Sequence, residues 1–121
     1  VPGVGESLPL AELRQIWPAY FASPDDAPPM PDIDLSPDAY AGVLASVTQE
    51  LPRLSAGLGT IAVPFGFVAG GSSPLSPDDA AGPTCTAMPN AWLEVVPGAG
   101  HFVWVERPGR VIEGLDRLVA G

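Results

Sequence analysis

Lysine is absent from this chain of 121 residues, and its five basic residues are all arginine, against fourteen acidic residues. The formal net charge is therefore −9 at pH 7. Proteins that bind nucleic acid or anionic lipid surfaces present clusters of basic side chains, so this composition argues against both kinds of partner. The same negative field disfavours anionic substrates and favours neutral or cationic ones.

Cysteine, histidine and long apolar runs are also scarce. Cys85 is the only cysteine, so no intrachain disulfide forms, and we interpret it as a small buried apolar side chain rather than a nucleophile. One histidine and one cysteine do not make a transition-metal site, so we predict neither a metal nor a cofactor. No window reaches the roughly 18 apolar residues of a membrane-spanning helix, and the start of the chain lacks a basic segment. The expectation is a cytoplasmic protein without a membrane partner.

The first 53 residues predict a helical region interrupted by a loop. Apolar residues recur at helical spacing near its start, and Pro18 is expected to kink or end that helix; they are Leu10, Leu13, Ile16, Trp17, Tyr20 and Phe21. The proline-rich stretch 23–32 predicts a surface loop. Ser36 and Pro37 then predict the start of a second helix that runs to about Leu51, with Tyr40, Val43, Leu44 and Val47 on one face.

The remaining residues predict a β-α-β-α unit, which places the chain in the α/β class. The predicted elements are a strand over Ile61–Ala69, a helix from about Asp78 to Met88, a strand over Trp92–Val96 and a helix from Pro108 to Val119. A crossover helix between two strands indicates that they are parallel. Two parallel strands leave their edges and faces uncovered, so we expect the chain to depend on further strands, on a partner chain or on homo-oligomer formation.

His101 is the only histidine, and it follows a glycine-rich turn, Gly98-Ala99-Gly100, directly after the apolar run of the last predicted strand. A neutral imidazole accepts a proton near pH 7, and a loop at the end of a rigid strand is a common place for a general base. The alternative is a capped turn with an incidental histidine. Trp17, Tyr20 and Phe21 leave a similar choice open, between the lining of an apolar pocket and a packed core.

Four pieces of this sequence, in this order, resemble the C-terminal half of the α/β-hydrolase fold superfamily. They are the L-x-x-x-L-x-x-I-x-V-P pattern of residues 54–64, the strand 65–70 ending in glycine, the Pro-Leu-Ser-Pro turn 74–77, and the G-x-G-H loop 98–101 followed by Glu106-Arg107-Pro108. The resemblance implies a helical lid over residues 1–53 and part of the hydrolase core over residues 54–121. It also implies that His101 is the general base, with Phe102 and Trp104 flanking the imidazole at the substrate site.

Two parts of the superfamily's catalytic triad are missing from this sequence. The chain has no G-x-S-x-G motif, so the resemblance places the nucleophile outside it, in an N-terminal half or a partner chain. The position where many members carry the triad aspartate is Ser73, which we expect near the His101 loop but without the charge of a triad acid. Asp78 and Asp79 are interpreted as the first turn of a helix. The acid is then expected from an earlier strand, as in dehalogenase-like and zearalenone-lactonase-like members.

The function that the resemblance implies is a fragment or subunit of a hydrolase that cleaves a neutral ester, lactone or amide, a small-molecule substrate. Two alternatives stay open. One is a catalytically silent binding or scaffold protein that keeps the fold without the activity. The other is an enzyme of the epoxide hydrolase or dehalogenase type, whose nucleophile is an aspartate.

Overall fold

The computed structural model describes residues 8–121, so residues 1–7 of the predicted lid lie outside the described part. The chain combines helices with one two-stranded parallel sheet. Helix α1 spans Leu8–Ile16 and ends before Pro18, in a 3₁₀ turn over Trp17–Tyr20, as the proline predicts. A second 3₁₀ turn, Pro24–Asp26, lies within the predicted surface loop. Within the described residues, no helix is both long and apolar enough to cross a membrane.

Helix α2 spans Pro37–Gly57 and begins where the sequence predicts. The Ala39 N–H donates to Ser36 Oγ at 3.2 Å, which caps the helix, and Pro37 occupies the first turn, where its missing N–H costs nothing. The predicted end at Leu51 is wrong because the helix continues through Pro52. It therefore crosses the proposed division between residues 53 and 54, which stays a prediction. Its apolar face lies exposed along most of the helix.

Strands β1, Phe65–Gly70, and β2, Ala91–Val96, pair in parallel, with Phe65 opposite Ala91 and Gly70 opposite Val96. The second strand lies one residue from its predicted start. The first begins later than predicted, because a 3₁₀ turn over Leu58–Thr60 and Pro64, which has no N–H for the ladder, precede it. Both carboxyl ends of the strands lie at the same edge of the sheet, from which the Ser73 and His101 loops leave.

Helix α3, Ala81–Ala87, is shorter than predicted, and Asp78 and Asp79 lie in the turn before it. Their expected place in a first helical turn is wrong. The Asp78 N–H donates to Ser76 Oγ at 3.3 Å and the Asp79 N–H to the Ser76 carbonyl at 3.0 Å, so local serine bonds compete with the helix. Cys85 is a free, half-buried thiol within α3.

Helices α4, Val103–Glu106, and α5, Pro108–Ala120, follow β2. Gly114 of α5 is buried where a Cβ would lie 3.1 Å from Val68 Cγ2, so the missing side chain lets the helix approach the sheet. Arg117 places its guanidinium 4.2 Å from the centre of the Trp92 ring. Arg110 hydrogen-bonds Glu94, and this bond together with the charge of Glu94 raises the pKa of Arg110.

The core lies at the end of β2. Val96, Ala99 and Val103 are buried together, with Val68 and Val111 packed against them. Two of these three residues flank His101 in the chain. The best-packed part of the molecule is therefore the support of the predicted catalytic loop.

Candidate functional site

The His101 loop leaves the carboxyl end of β2 through a left-handed turn. Gly98 has φ of 71°, a backbone conformation that favours glycine, and Ala99 behind it is fully buried. Gly100 is buried as well, and His101 itself is half-buried. The imidazole is thus carried on backbone that is anchored in the core while the ring stays accessible.

Glu106 joins this loop to the N-terminal helical segment. Its Oε2 accepts the Gly100 N–H at 2.6 Å and its Oε1 accepts the Ala22 N–H at 3.1 Å. The His101 N–H donates to the Tyr20 carbonyl at 2.6 Å, alongside that carboxylate bridge. A Cβ at Gly100 would overlap the Tyr20 carbonyl oxygen, so only glycine allows this close approach.

The loop after β1 lies directly against the His101 loop. The Gly71 N–H donates to the Val96 carbonyl and the Ser72 N–H to the Ala99 carbonyl, both at 2.9 Å. A Cβ at Gly70 would overlap the backbone of Gly100. These contacts hold the two loops in a fixed register at the carboxyl edge of the sheet.

Ser73 and His101 meet as a result. The Ser73 Oγ lies 3.0 Å from His101 Nδ1, and it also accepts the Leu75 N–H at 3.1 Å. The expectation that Ser73 lies at the end of the strand near the His101 loop is confirmed. Within residues 8–121 no hydrogen bond or ion pair joins a carboxylate to the imidazole, so Ser73 is the polar side chain that holds its Nδ1.

Aromatic rings surround the opposite side of the site. The Tyr20 ring centre lies 5.2 Å from that of His101, and the Phe102 ring centre lies 5.4 Å from it. Phe102 also contacts the rings of Trp17, Tyr20, Phe21 and Trp104. The structure thus brings Phe102 next to the imidazole. Within the described rings, Trp104 contacts Phe102 rather than His101.

Phe102 and Trp104 form one wall of an apolar groove of about 440 Å³. Opposite them lies a segment that we name the proline strap, residues 27–31, fixed by a hydrogen bond of 2.7 Å from Trp17 Nε1 to the Pro28 carbonyl. The groove is lined by Trp17, Phe21, Pro28, Pro29, Pro31, Phe102, Trp104 and Val105. None of these side chains is charged, so the groove suits an apolar group.

Sequence reasoning missed two parts of this site. The predicted surface loop over residues 23–32 is confirmed, but its contact with Trp17 as the proline strap was not foreseen, although prolines near a tryptophan are a signal for packing on the aromatic ring. The carboxylate bridge of Glu106 was not foreseen either. The choice between pocket and core for Trp17 and Phe21 stays open, because both line the groove while Phe21 is also buried among aromatic rings; Tyr20 contacts the imidazole instead.

No group of three or more potential metal ligands exists among the described histidine, cysteine, aspartate and glutamate residues. Comparisons of the chain with protein families, with curated proteins and with solved structures find no match. The chemistry of the site therefore has to be argued from its own geometry.

Proposed function

We propose that this chain supplies the general base of a hydrolase of the α/β-hydrolase type, which cleaves a neutral ester, lactone or amide. One observation carries the proposal: the only imidazole of the chain stands at the carboxyl edge of a parallel sheet with its Nδ1 held by Ser73 at 3.0 Å. A ring held through Nδ1 has Nε2 left for proton transfer. Ligand sites of open parallel sheets lie at this same edge.

In this mechanism, the nucleophile is a serine outside the chain. His101 takes the proton of that serine hydroxyl on Nε2 as the serine oxygen attacks the substrate carbonyl, and returns the proton to the leaving alcohol or amine. Water then attacks the acyl-enzyme: His101 takes a proton from the water and returns it to the serine oxygen. This step releases the carboxylic acid and regenerates the serine and the neutral histidine. The half of the enzyme that carries the serine also supplies strands beside the two described here.

The apolar part of the substrate lies in the groove beside Phe102. Phe102 contacts the imidazole on one side and lines the groove on the other, so a bound acyl or alkyl group would lie close to the reacting proton. Filling the groove also removes water from that side of the ring, which strengthens the electrostatic interactions of the site. We therefore assign the predicted substrate contacts to Phe102 and Trp104.

A second candidate is a catalytically silent binding protein, and the Ser73 position favours it. A serine supplies no fixed negative charge beside Nδ1, and the imidazolium that forms during acyl transfer is normally stabilised by one. A protein that had lost its activity would keep the apolar groove and the aromatic cluster. The two candidates differ in whether the protein that includes the nucleophile half hydrolyses a substrate.

Hydrolysis of neutral esters by the protein that includes the nucleophile half separates them, since the silent candidate has no turnover, and replacement of His101 then tests the role assigned to the histidine. In the enzyme that includes the nucleophile, His101→Ala should lower turnover by about four orders of magnitude or more, while the melting temperature changes little. Ser72→Ala is the matched control, because Ser72 lies in the neighbouring loop and its hydroxyl makes no described contact. A lower melting temperature with intact turnover in His101→Ala would show that the histidine serves only the fold.

A further inference from the structure

The hydroxyl of Ser73 is placed between two nitrogen atoms. A serine hydroxyl has one hydrogen to donate and two lone pairs that accept. One lone pair takes the Leu75 N–H at 3.1 Å, which fixes where the remaining lone pair and the hydrogen point. His101 Nδ1 lies 3.0 Å from the same oxygen, within direct hydrogen-bond distance.

The protonation state of the ring decides the direction of this bond. An imidazolium carries a hydrogen on both nitrogens, so Ser73 Oγ has to accept from Nδ1–H whenever His101 is charged. When the ring is neutral, the same hydroxyl can turn its hydrogen toward an unprotonated Nδ1. Ser73 is half-buried, so part of its surface still reaches solvent, and in the charged state its hydrogen can turn toward water. A hydroxyl thus satisfies Nδ1 in every state of the ring.

We infer that Ser73 is a positioning residue for His101, which holds the ring by Nδ1 in both protonation states and stabilises the imidazolium as an uncharged acceptor. The catalytic consequence rests on the proposed function, whereas the contact itself does not. Hydrogen bonds to a charged acceptor are roughly twice as strong as neutral ones. Ser73 therefore supports the charged ring less than a carboxylate would, but keeps its orientation.

The other polar groups near the ring do not take over this task. Tyr20 packs its ring against the imidazole and uses its carbonyl for the His101 backbone N–H. The Glu106 carboxylate is occupied by the N–H groups of Gly100 and Ala22. Among the described residues, Ser73 is consequently the side chain through which the electrostatics of Nδ1 can be changed by one substitution.

Nitrogen NMR of the imidazole tests the inference on the full chain, because one histidine gives one unambiguous set of ring signals. Ser73→Ala should change the Nδ1 signal and the ratio of neutral tautomers, because Nδ1 loses its hydroxyl partner. Ser73→Thr retains the hydroxyl and should restore the wild-type signals. Ser73→Asp should favour the neutral tautomer with its hydrogen on Nδ1, because a carboxylate only accepts.

Ser72→Ala is again the control and should leave the imidazole signals unchanged. Identical ring signals and tautomer ratios in folded wild type, Ser73→Ala and Ser73→Asp would overturn the inference. If Ser73→Asp does not fold, the alanine and threonine variants at position 73 decide. Return of the wild-type imidazole signals in Ser73→Thr shows that the hydroxyl contacts the ring, which a purely structural role would not produce.

Turnover separates this inference from the proposed function. If the imidazole signals change in Ser73→Ala and return in Ser73→Thr while His101→Ala is fully active, the proposed function is rejected and the Ser73 contact is kept. If the imidazole signals are the same in all Ser73 variants while His101→Ala is inactive, only the Ser73 inference is rejected.

Discussion

Gly70 and Gly100 let three segments of backbone meet at distances that no side chain permits. Gly70 faces the His101 loop, and Gly100 faces Tyr20 and Ala22 of the N-terminal segment. Neither glycine has a positive φ, so their requirement is space rather than backbone conformation. Single residues without side chains thus determine where the only imidazole of the chain lies.

Gly100→Ala should destabilise the fold by roughly 1–3 kcal/mol or more, because the added methyl group meets backbone atoms that cannot rotate away. Gly42→Ala is the matched control: Gly42 lies inside α2, where an added Cβ would meet no atom within 4 Å, so alanine should stabilise by roughly 0.5–1 kcal/mol. Urea unfolding of both variants measures the difference. Equal unfolding free energies would contradict the close approach at Gly100.

At the scale of elements, one carboxylate connects the helical N-terminal segment with α4 and the His101 loop. Glu106 is the last residue of α4, and its two oxygen atoms accept from Ala22 and Gly100. The Tyr20 carbonyl accepts the His101 N–H within the same contact. The predicted lid is therefore joined to the predicted core by a hydrogen bond to a carboxylate and another between backbone groups, besides apolar packing.

Glu106→Gln should lower the free energy of unfolding by about 1.5–3 kcal/mol, since an amide presents a donor where the carboxylate accepted, and a hydrogen bond to a charged group is lost. Glu113→Gln is the control with the same chemical change, because Glu113 forms only an exposed ion pair with Arg110, worth about 0–1 kcal/mol. Chemical unfolding of the two variants is the measurement. A Glu106→Gln protein as stable as Glu113→Gln would show that the bridge is absent in solution.

Local sequence patterns predicted the helices and strands, but they did not predict contacts between residues that are distant in the sequence. The start of α2 follows from Ser36 and Pro37, and β2 follows from an apolar run that only Glu94 interrupts. The apolar pattern placed the start of β1 at Ile61 and Asp78 in a helix, both wrongly, because short-range turns at Thr60 and Ser76 compete with that pattern. Such turns depend on single hydrogen bonds that periodicity does not contain. The strand 65–70 of the resemblance has the observed bounds.

The candidate site likewise contains one contact that the sequence predicts and others that it does not. Ser73 and His101 were expected together because both follow parallel strands, whose carboxyl ends lie at one edge. The hydrogen bond between Ala22 and Glu106 joins residues 84 positions apart, and no local sequence pattern at either residue predicts it. The apolar groove likewise needs the proline strap to fold back on Trp17. These contacts follow from the tertiary fold and not from any one segment.

At the scale of the whole molecule, apolar surface remains uncovered. One stripe of α2 is exposed along its length, and Phe65 and Val95 lie open on the sheet; the stripe consists of Tyr40, Val43, Leu44, Val47, Leu51 and Leu54. Parallel sheets are normally covered on both faces, whereas this two-stranded sheet leaves apolar side chains exposed. The exposed surface is where we expect further strands, a partner chain or a second copy.

The purified chain should therefore bind a hydrophobic dye and self-associate. Val47→Glu places a charge in the middle of the exposed stripe and should reduce both effects, whereas Gln49→Glu, with the same added charge on an exposed residue outside the stripe, should not. Dye fluorescence and size-exclusion chromatography provide the measurements. A monodisperse wild-type monomer with no dye binding and a steep two-state melt would contradict this expectation.

The anchoring of the His101 loop also determines which part of the site opens to solvent first. The amide hydrogens of Gly100 and His101 are held by short bonds above a fully buried Ala99, so they exchange with solvent only when a larger unit of the fold opens. The proline strap is held by the indole bond of Trp17 at an exposed position and by the bond of the Ala27 N–H to the Pro24 carbonyl. We therefore expect the strap side of the groove to exchange its amide hydrogens faster than the His101 loop.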